Sequence, residues 1–205
     1  MNYELKVHQW RDTDGSIDYE KEINCDSIIE IADWANKFSG LNHLPNDVSF
    51  PLERCVIAAY QVGYLFDYLK IKEKESRKSY FEEGIASILL HAIAAYEMTG
   101  REYIKIDDSF DKSNFSWKIL IGEIVLSCKL QTSLLNLSEN VFKFQRWILY
   151  HHMKRKKRWD EEKFRKSILG ITHHSLSIAK LERCNLSKAF QLCMSKIQDG
   201  EIKRH

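Results

Sequence analysis

Proline occurs twice and glycine eight times in 205 residues, so helix breakers are scarce and long helices are favoured. Cysteine occurs five times, an odd number, and no two form a CxxC pair. That removes the case for a zinc ribbon or a disulfide framework and leaves reduced thiols on apolar faces. No stretch approaches the roughly 18–20 uninterrupted apolar residues of a membrane helix. The opening MNYELKVHQW holds no apolar signal core. A cytoplasmic protein without membrane contact is therefore expected. No P-loop, no dinucleotide glycine pattern and no GxSxG is present.

What is present is an ordinary globular composition, 44% hydrophobic and 29% charged, in a chain long enough to bury a core. The net charge of +2 conceals a polarity. Residues 1–100 carry 10 Lys/Arg against 17 Asp/Glu, and residues 101–205 carry 21 against 12. Such a chain can pair its own halves, dimerise head to tail, or offer a basic face to an anion.

Residues 3–23 alternate polar and apolar side chains around an Asp-Gly turn at 12–15, which predicts a β-hairpin. The rest reads as helices. The first, over 27–38, opens on the capping box Ser27/Glu30. The second, over 51–70, has Pro51 in its first turn. The third, over 79–99, opens on Ser79/Glu82 and stops at Gly100. A fourth is expected over 116–135. Ser138 would cap a fifth running to Arg158, Asp160 a sixth to Glu182, and Asn185 or Ser187 a seventh to Gln198.

The helix pair over 51–100 suits a site in which carboxylates from two antiparallel helices hold Mg²⁺ for hydrolysis of a nucleoside triphosphate. The stretch from about 27 to 100 resembles the MazG-like all-α nucleotide pyrophosphohydrolases. The matching pieces are the first helix, a proline loop at 43–47, a helix with the central Gly63, and the apolar helix over 84–100. The resemblance implies an E-E-x-x-E motif on the second helix and E-x-x-D on the third. Here those positions hold Tyr60, Gln61, Tyr64, Gly84 and Ser87, with no carboxylate among them. Glu82, Glu83 and Asp67 lie nearby. Residues 139–198 are similar to the same pattern more loosely, with the motif positions at Tyr150, His151, Lys154, Ser167 and Gly170.

The expected fold is thus mainly α, a MazG-like helical bundle, read further as two degenerate tandem copies with a small N-terminal hairpin. Its divisions are 1–25 (hairpin), 26–104 (MazG-like unit) and 116–205 (second helical unit packed on the first). The expected function is that of a catalytically degenerate member that binds a nucleotide-type ligand or a protein partner. Tyr60, Gln61, Tyr64 and Ser87 either line a remodelled ligand pocket or fill in an emptied one.

Two alternatives stand beside this reading. An active Mg²⁺-dependent triphosphate pyrophosphohydrolase would use the displaced acids Glu82, Glu83 and Asp67. A nucleic-acid-binding protein would use the basic segment 143–166, with Lys154, Arg155, Lys157 and Arg158 at its densest point and Trp147 and Trp159 beside it. In the first reading no cofactor and no metal is expected. The histidine pairs at 151–152 and 173–174 are read as satisfied or exposed, because adjacent helical residues point about 100° apart. The resemblance also implies a homodimer.

Overall fold

A computed structural model of the chain describes residues 4–8, 20–40, 50–101, 103, 116–153 and 158–198. Two strands, β1 (Glu4–His8) and β2 (Glu20–Asn24), pair antiparallel with Glu4 opposite Asn24 and His8 opposite Glu20. This is the expected hairpin; its turn at 12–15 lies outside the described residues. The remainder is helical: α1 (Ile28–Gly40), α2 (Phe50–Tyr68), α3 (Lys74–Glu97), α4 (Trp117–Glu123), α5 (Leu130–His152), α6 (Glu161–Leu181) and α7 (Leu186–Gln198).

α3 is the central element. Every residue from 84 to 96 is buried, and the helix touches α1, α2, α6 and α7. A helix apolar on all sides belongs in a core, and the sequence here, GIASILLHAIAAY, has that character. α2 also lies against α5, and α5 against α6. One core cluster takes residues from β2 and from each of the seven helices named above.

Several helix starts follow the expected chemistry. The Ser27 hydroxyl accepts from the Glu30 amide at 3.3 Å, while the Glu30 carboxylate accepts from the Asn24 amide at 2.8 Å. Asp160 accepts from the Lys163 amide and Asn185 from the Lys188 amide, at 3.0 and 3.1 Å. Each cap takes up an amide with no partner inside its helix. Gly100 follows α3 with φ +77°, a left-handed conformation that suits glycine.

Three expectations are corrected. Ser79 is not a cap: α3 starts earlier, after an extended Glu73 whose carboxylate accepts from the Ser76 hydroxyl at 2.8 Å. Glu82, the other half of the supposed box, accepts from the Asn185 amide at 2.8 Å instead. The helix expected over 116–135 is two helices with a break at 124–129. At the break the Lys180 ammonium donates to the carbonyls of Gly122 and Ile124, each at 2.8 Å. The cation satisfies carbonyls at and just past the end of α4 and suits the negative end of the helix dipole. Ser138 accordingly lies inside α5, which ends at His152 rather than Arg158.

Distant segments meet at Asp26. Its carbonyl accepts from the Trp117 amide at 3.0 Å, and its carboxylate accepts from the Ser187 hydroxyl at 2.8 Å. Ser27 and Ser116 form an isolated bridge beside it. The turn after β2 is thereby tied to the starts of α4 and α7.

Candidate functional site

α2 and α3 form a helical hairpin with a short link, and one exposed strip of it carries tyrosines. Tyr60, Tyr64 and Tyr68 recur every four residues, so they stand one turn apart on one face of α2. The centroids of Tyr60 and Tyr64 are 6.3 Å apart, as are those of Tyr64 and Tyr68. Across the link, Tyr68 stacks on Tyr80 of α3 at 4.7 Å and meets Phe81 edge-on at 6.4 Å. Tyr60 is 68% exposed, Tyr64 46% and Tyr80 47%. Tyr68 is partly covered, and burial first, then the charge of Glu83, holds its hydroxyl above the usual phenol range. The sequence singled out Tyr60 and Tyr64. It missed Tyr68 and Tyr80, although the four-residue spacing already pointed to the former.

The other expected site residues fall elsewhere. Ser87 is buried, so it does not share a surface with Tyr60 and Tyr64. Gln61 is half-buried. The three displaced acids are each engaged separately. Glu82 takes the amide at the start of α7, with Lys78 at 3.9 Å. Glu83 pairs with Lys196 of α7 at 2.5 Å. Asp67 pairs with Lys70 at 2.7 Å at the exposed end of α2. Glu82 and Glu83 therefore dock α7 onto α3. Among the described residues no group of three or more His, Cys, Asp or Glu is placed to hold a metal ion.

The two glycines of the hairpin play different parts. A Cβ on Gly84 would come within 2.7 Å of the Leu65 side chain, which is fully buried. A Cβ on Gly63 would meet nothing within 4 Å. Gly63→Ala should therefore raise the unfolding free energy by about 0.5–1 kcal/mol, since only the helical penalty of glycine is removed. Gly84→Ala should lower it, because the overpacking cost of about 1–3 kcal/mol exceeds that gain. Urea unfolding of both variants checks the pair; a stabilised Gly84→Ala would contradict the geometry.

At the other end of α3 the basic segment joins a second cluster. Arg101 grips Glu161 with two hydrogen bonds of 2.6 Å and lies over the ring of Trp159 at 4.9 Å. The Trp159 indole N–H donates to the same carboxylate at 3.1 Å. Arginine's hydrogen bonds are the first cause holding the Glu161 carboxyl below its ordinary range. His151 packs against Trp159 at 5.2 Å, and burial first, then Arg101, lowers its titration. Trp147 is buried and meets Trp159 edge-on at 6.0 Å. Both tryptophans are thus occupied within the fold, which leaves them poor platforms for a nucleobase. Arg158 is exposed; Lys154, Arg155 and Lys157 lie outside the described residues. Nothing in the spacing of Arg101, Trp159 and Glu161 signals this cluster, because 60 positions separate the arginine from its carboxylate.

Ser167 and Gly170 of the second set of motif positions are structural, and Lys154 of that set lies outside the described residues. The Ser167 hydroxyl is buried and donates to the Phe164 carbonyl at 2.6 Å. A Cβ on Gly170 would lie 2.3 Å from the Asn140 amide oxygen, so Gly170 lets α5 and α6 approach. Among the described residues no helix is long and apolar enough to cross a membrane. No family model matches the chain, and no curated protein and no solved structure is a match to it.

Proposed function

We propose that this chain is a catalytically degenerate helical protein of MazG-like pattern that works by holding a protein partner on the tyrosine face of the α2–α3 hairpin. The observation that carries the reading is the ladder Tyr60–Tyr64–Tyr68–Tyr80. It is largely exposed, although buried aromatic area is among the strongest sources of binding free energy. Tyrosine offers wide amphipathic contact at low entropic cost, which favours a protein surface as its occupant. The neighbouring acids support binding over hydrolysis, since Glu82 and Glu83 already hold α7. A metal centre there would first have to release them, and two carboxylates without a shared focus do not supply the oxygen set that Mg²⁺ demands.

Three measurements test this reading. Purified protein should release no pyrophosphate from ribo- or deoxyribonucleoside triphosphates with Mg²⁺ or Mn²⁺. Turnover abolished by combined replacement of Glu82, Glu83 and Asp67 would restore the hydrolase alternative. Affinity capture from the host should retain a partner on the native chain and lose it on Tyr60→Ala/Tyr64→Ala. Identical capture by both proteins would remove the ladder from the function. Saturable nucleotide binding that the same double variant abolishes would replace the protein partner with a nucleotide-type ligand.

A further inference from the structure

A different face carries a second inference, which does not depend on the tyrosine ladder. α5 buries Leu134, Leu137, Val141, Phe144 and Ile148 against the core. Another side of it exposes Leu135 (61%), Phe142 (60%) and Leu149, and the capping residue Met153 continues that line just past its end. The first three recur every seven residues, and at about 100° per residue all four fall within an arc of about 40°. A stripe of large apolar side chains along a helix about 34 Å long is more than the scattered exposure of an ordinary surface.

The polar residues beside the stripe say what covers it. Glu139 and Arg146 lie on one flank, on either side of Phe142 and at nearly equal distances from it along the helix. Ser138 and Gln145 lie on the other flank in the same relation. Two antiparallel copies of α5 related by a two-fold axis at Phe142 bring like flanks together. Phe142 then meets Phe142 of the partner, and Leu135 meets the partner's Leu149. Glu139 reaches the partner's Arg146 and Ser138 the partner's Gln145, each contact occurring twice. Lys143, which already pairs with Glu139 on its own helix at 2.6 Å, adds a cation to the same flank. Arg146 is held in place by its own neighbour, with its guanidinium 5.5 Å from the ring of Trp147. A parallel arrangement would instead set each Glu139/Arg146 flank against the partner's Ser138/Gln145 flank, where neither charge meets an opposite one. The antiparallel arrangement alone pairs Glu139 with Arg146 across the interface.

We propose that the exposed face of α5 is a self-association surface on which a second copy of this chain lies antiparallel, centred on Phe142. The interface is isologous, as two-fold dimers require. One helix pair sits near the lower bound of ~1,200 Å² for a specific interface, so association belongs in the micromolar range.

Sedimentation equilibrium of the full chain across micromolar concentrations tests this. The mean mass should rise from monomer towards dimer. Phe142→Glu should weaken association at least ~10-fold while thermal melting, followed by circular dichroism, shows the fold intact. Glu139→Arg alone and Arg146→Glu alone should each weaken it several-fold, and the two together should restore it to within about threefold. A monomer at every concentration overturns the proposal and leaves the stripe to some other protein. A dimer indifferent to Phe142→Glu, or a charge-swapped double variant no better than its singles, overturns it as well.

Discussion

Lowering the pH from 7 to 4.5 should cost the folded chain roughly 3 kcal/mol through His91 alone, at about 1.4 kcal/mol per pH unit. His91 is fully enclosed in α3, and burial first, then the charge of Arg54, lowers its pKa to about 3. An unfolded chain takes up that proton near the ordinary value of 6.5. The contribution is therefore complete above 6.5 and is lost as the pH falls towards 3. His91→Leu replaces the ring with an apolar side chain of similar size and removes this site of proton uptake. Urea unfolding at the two pH values should show a drop in the native chain that exceeds the drop in the variant by that margin. Carboxylates elsewhere titrate in both proteins and cancel. Equal drops would mean that His91 is protonated, or reached by water, inside the fold.

Phe164→Ala should cost about 3–5 kcal/mol, the range for deleting a buried aromatic side chain. Phe164 sits in the first turns of α6 with no exposed surface. Its ring stacks on Phe144 of α5 at 5.2 Å and on Tyr96 of α3 at 5.1 Å. Trp159 lies at 5.0 Å, and the Arg101 guanidinium covers the ring at 5.4 Å. One side chain thus joins three helices and the link between two of them. Because domains are commonly stable by only about 5–15 kcal/mol, the loss is a large share of the total. Chemical denaturation measures it directly, and a loss below about 1 kcal/mol would show that α3, α5 and α6 close over the vacancy. Arg101→Ala should cost far less, since the carboxylate it holds is 55% exposed.

The fold was legible where local chemistry decides. Ser27, Asp160 and Asn185 mark helix starts because a cap is a contact between residues three apart. The strand pairing announced itself through alternation, and α3 through its largely apolar run over 85–96. The break at 124–129 was illegible because the cation that satisfies its carbonyls, Lys180, lies more than fifty residues away. Ser79 misled for a related reason: its partner Glu82 serves α7 rather than its own helix. At the candidate site, the spacing of Tyr60 and Tyr64 was readable. The stack of Tyr68 on Tyr80 depends on how tightly the hairpin closes, and the burial of Ser87 on which way α3 turns. Neither is written in residue spacing.

The knot of contacts at Asp26 has a kinetic consequence. The α2–α3 and α5–α6 hairpins join neighbours in the chain, so each can close early at small entropic cost. The hydrogen bonds from Trp117 and Ser187 to Asp26 span most of the chain, and forming them requires two long loops to close at once. Asp26→Ala removes the carboxylate contact with Ser187 and keeps the backbone bond from Trp117. In stopped-flow kinetics it should therefore hasten unfolding while leaving the refolding rate nearly unchanged, the behaviour of a contact made after the transition state.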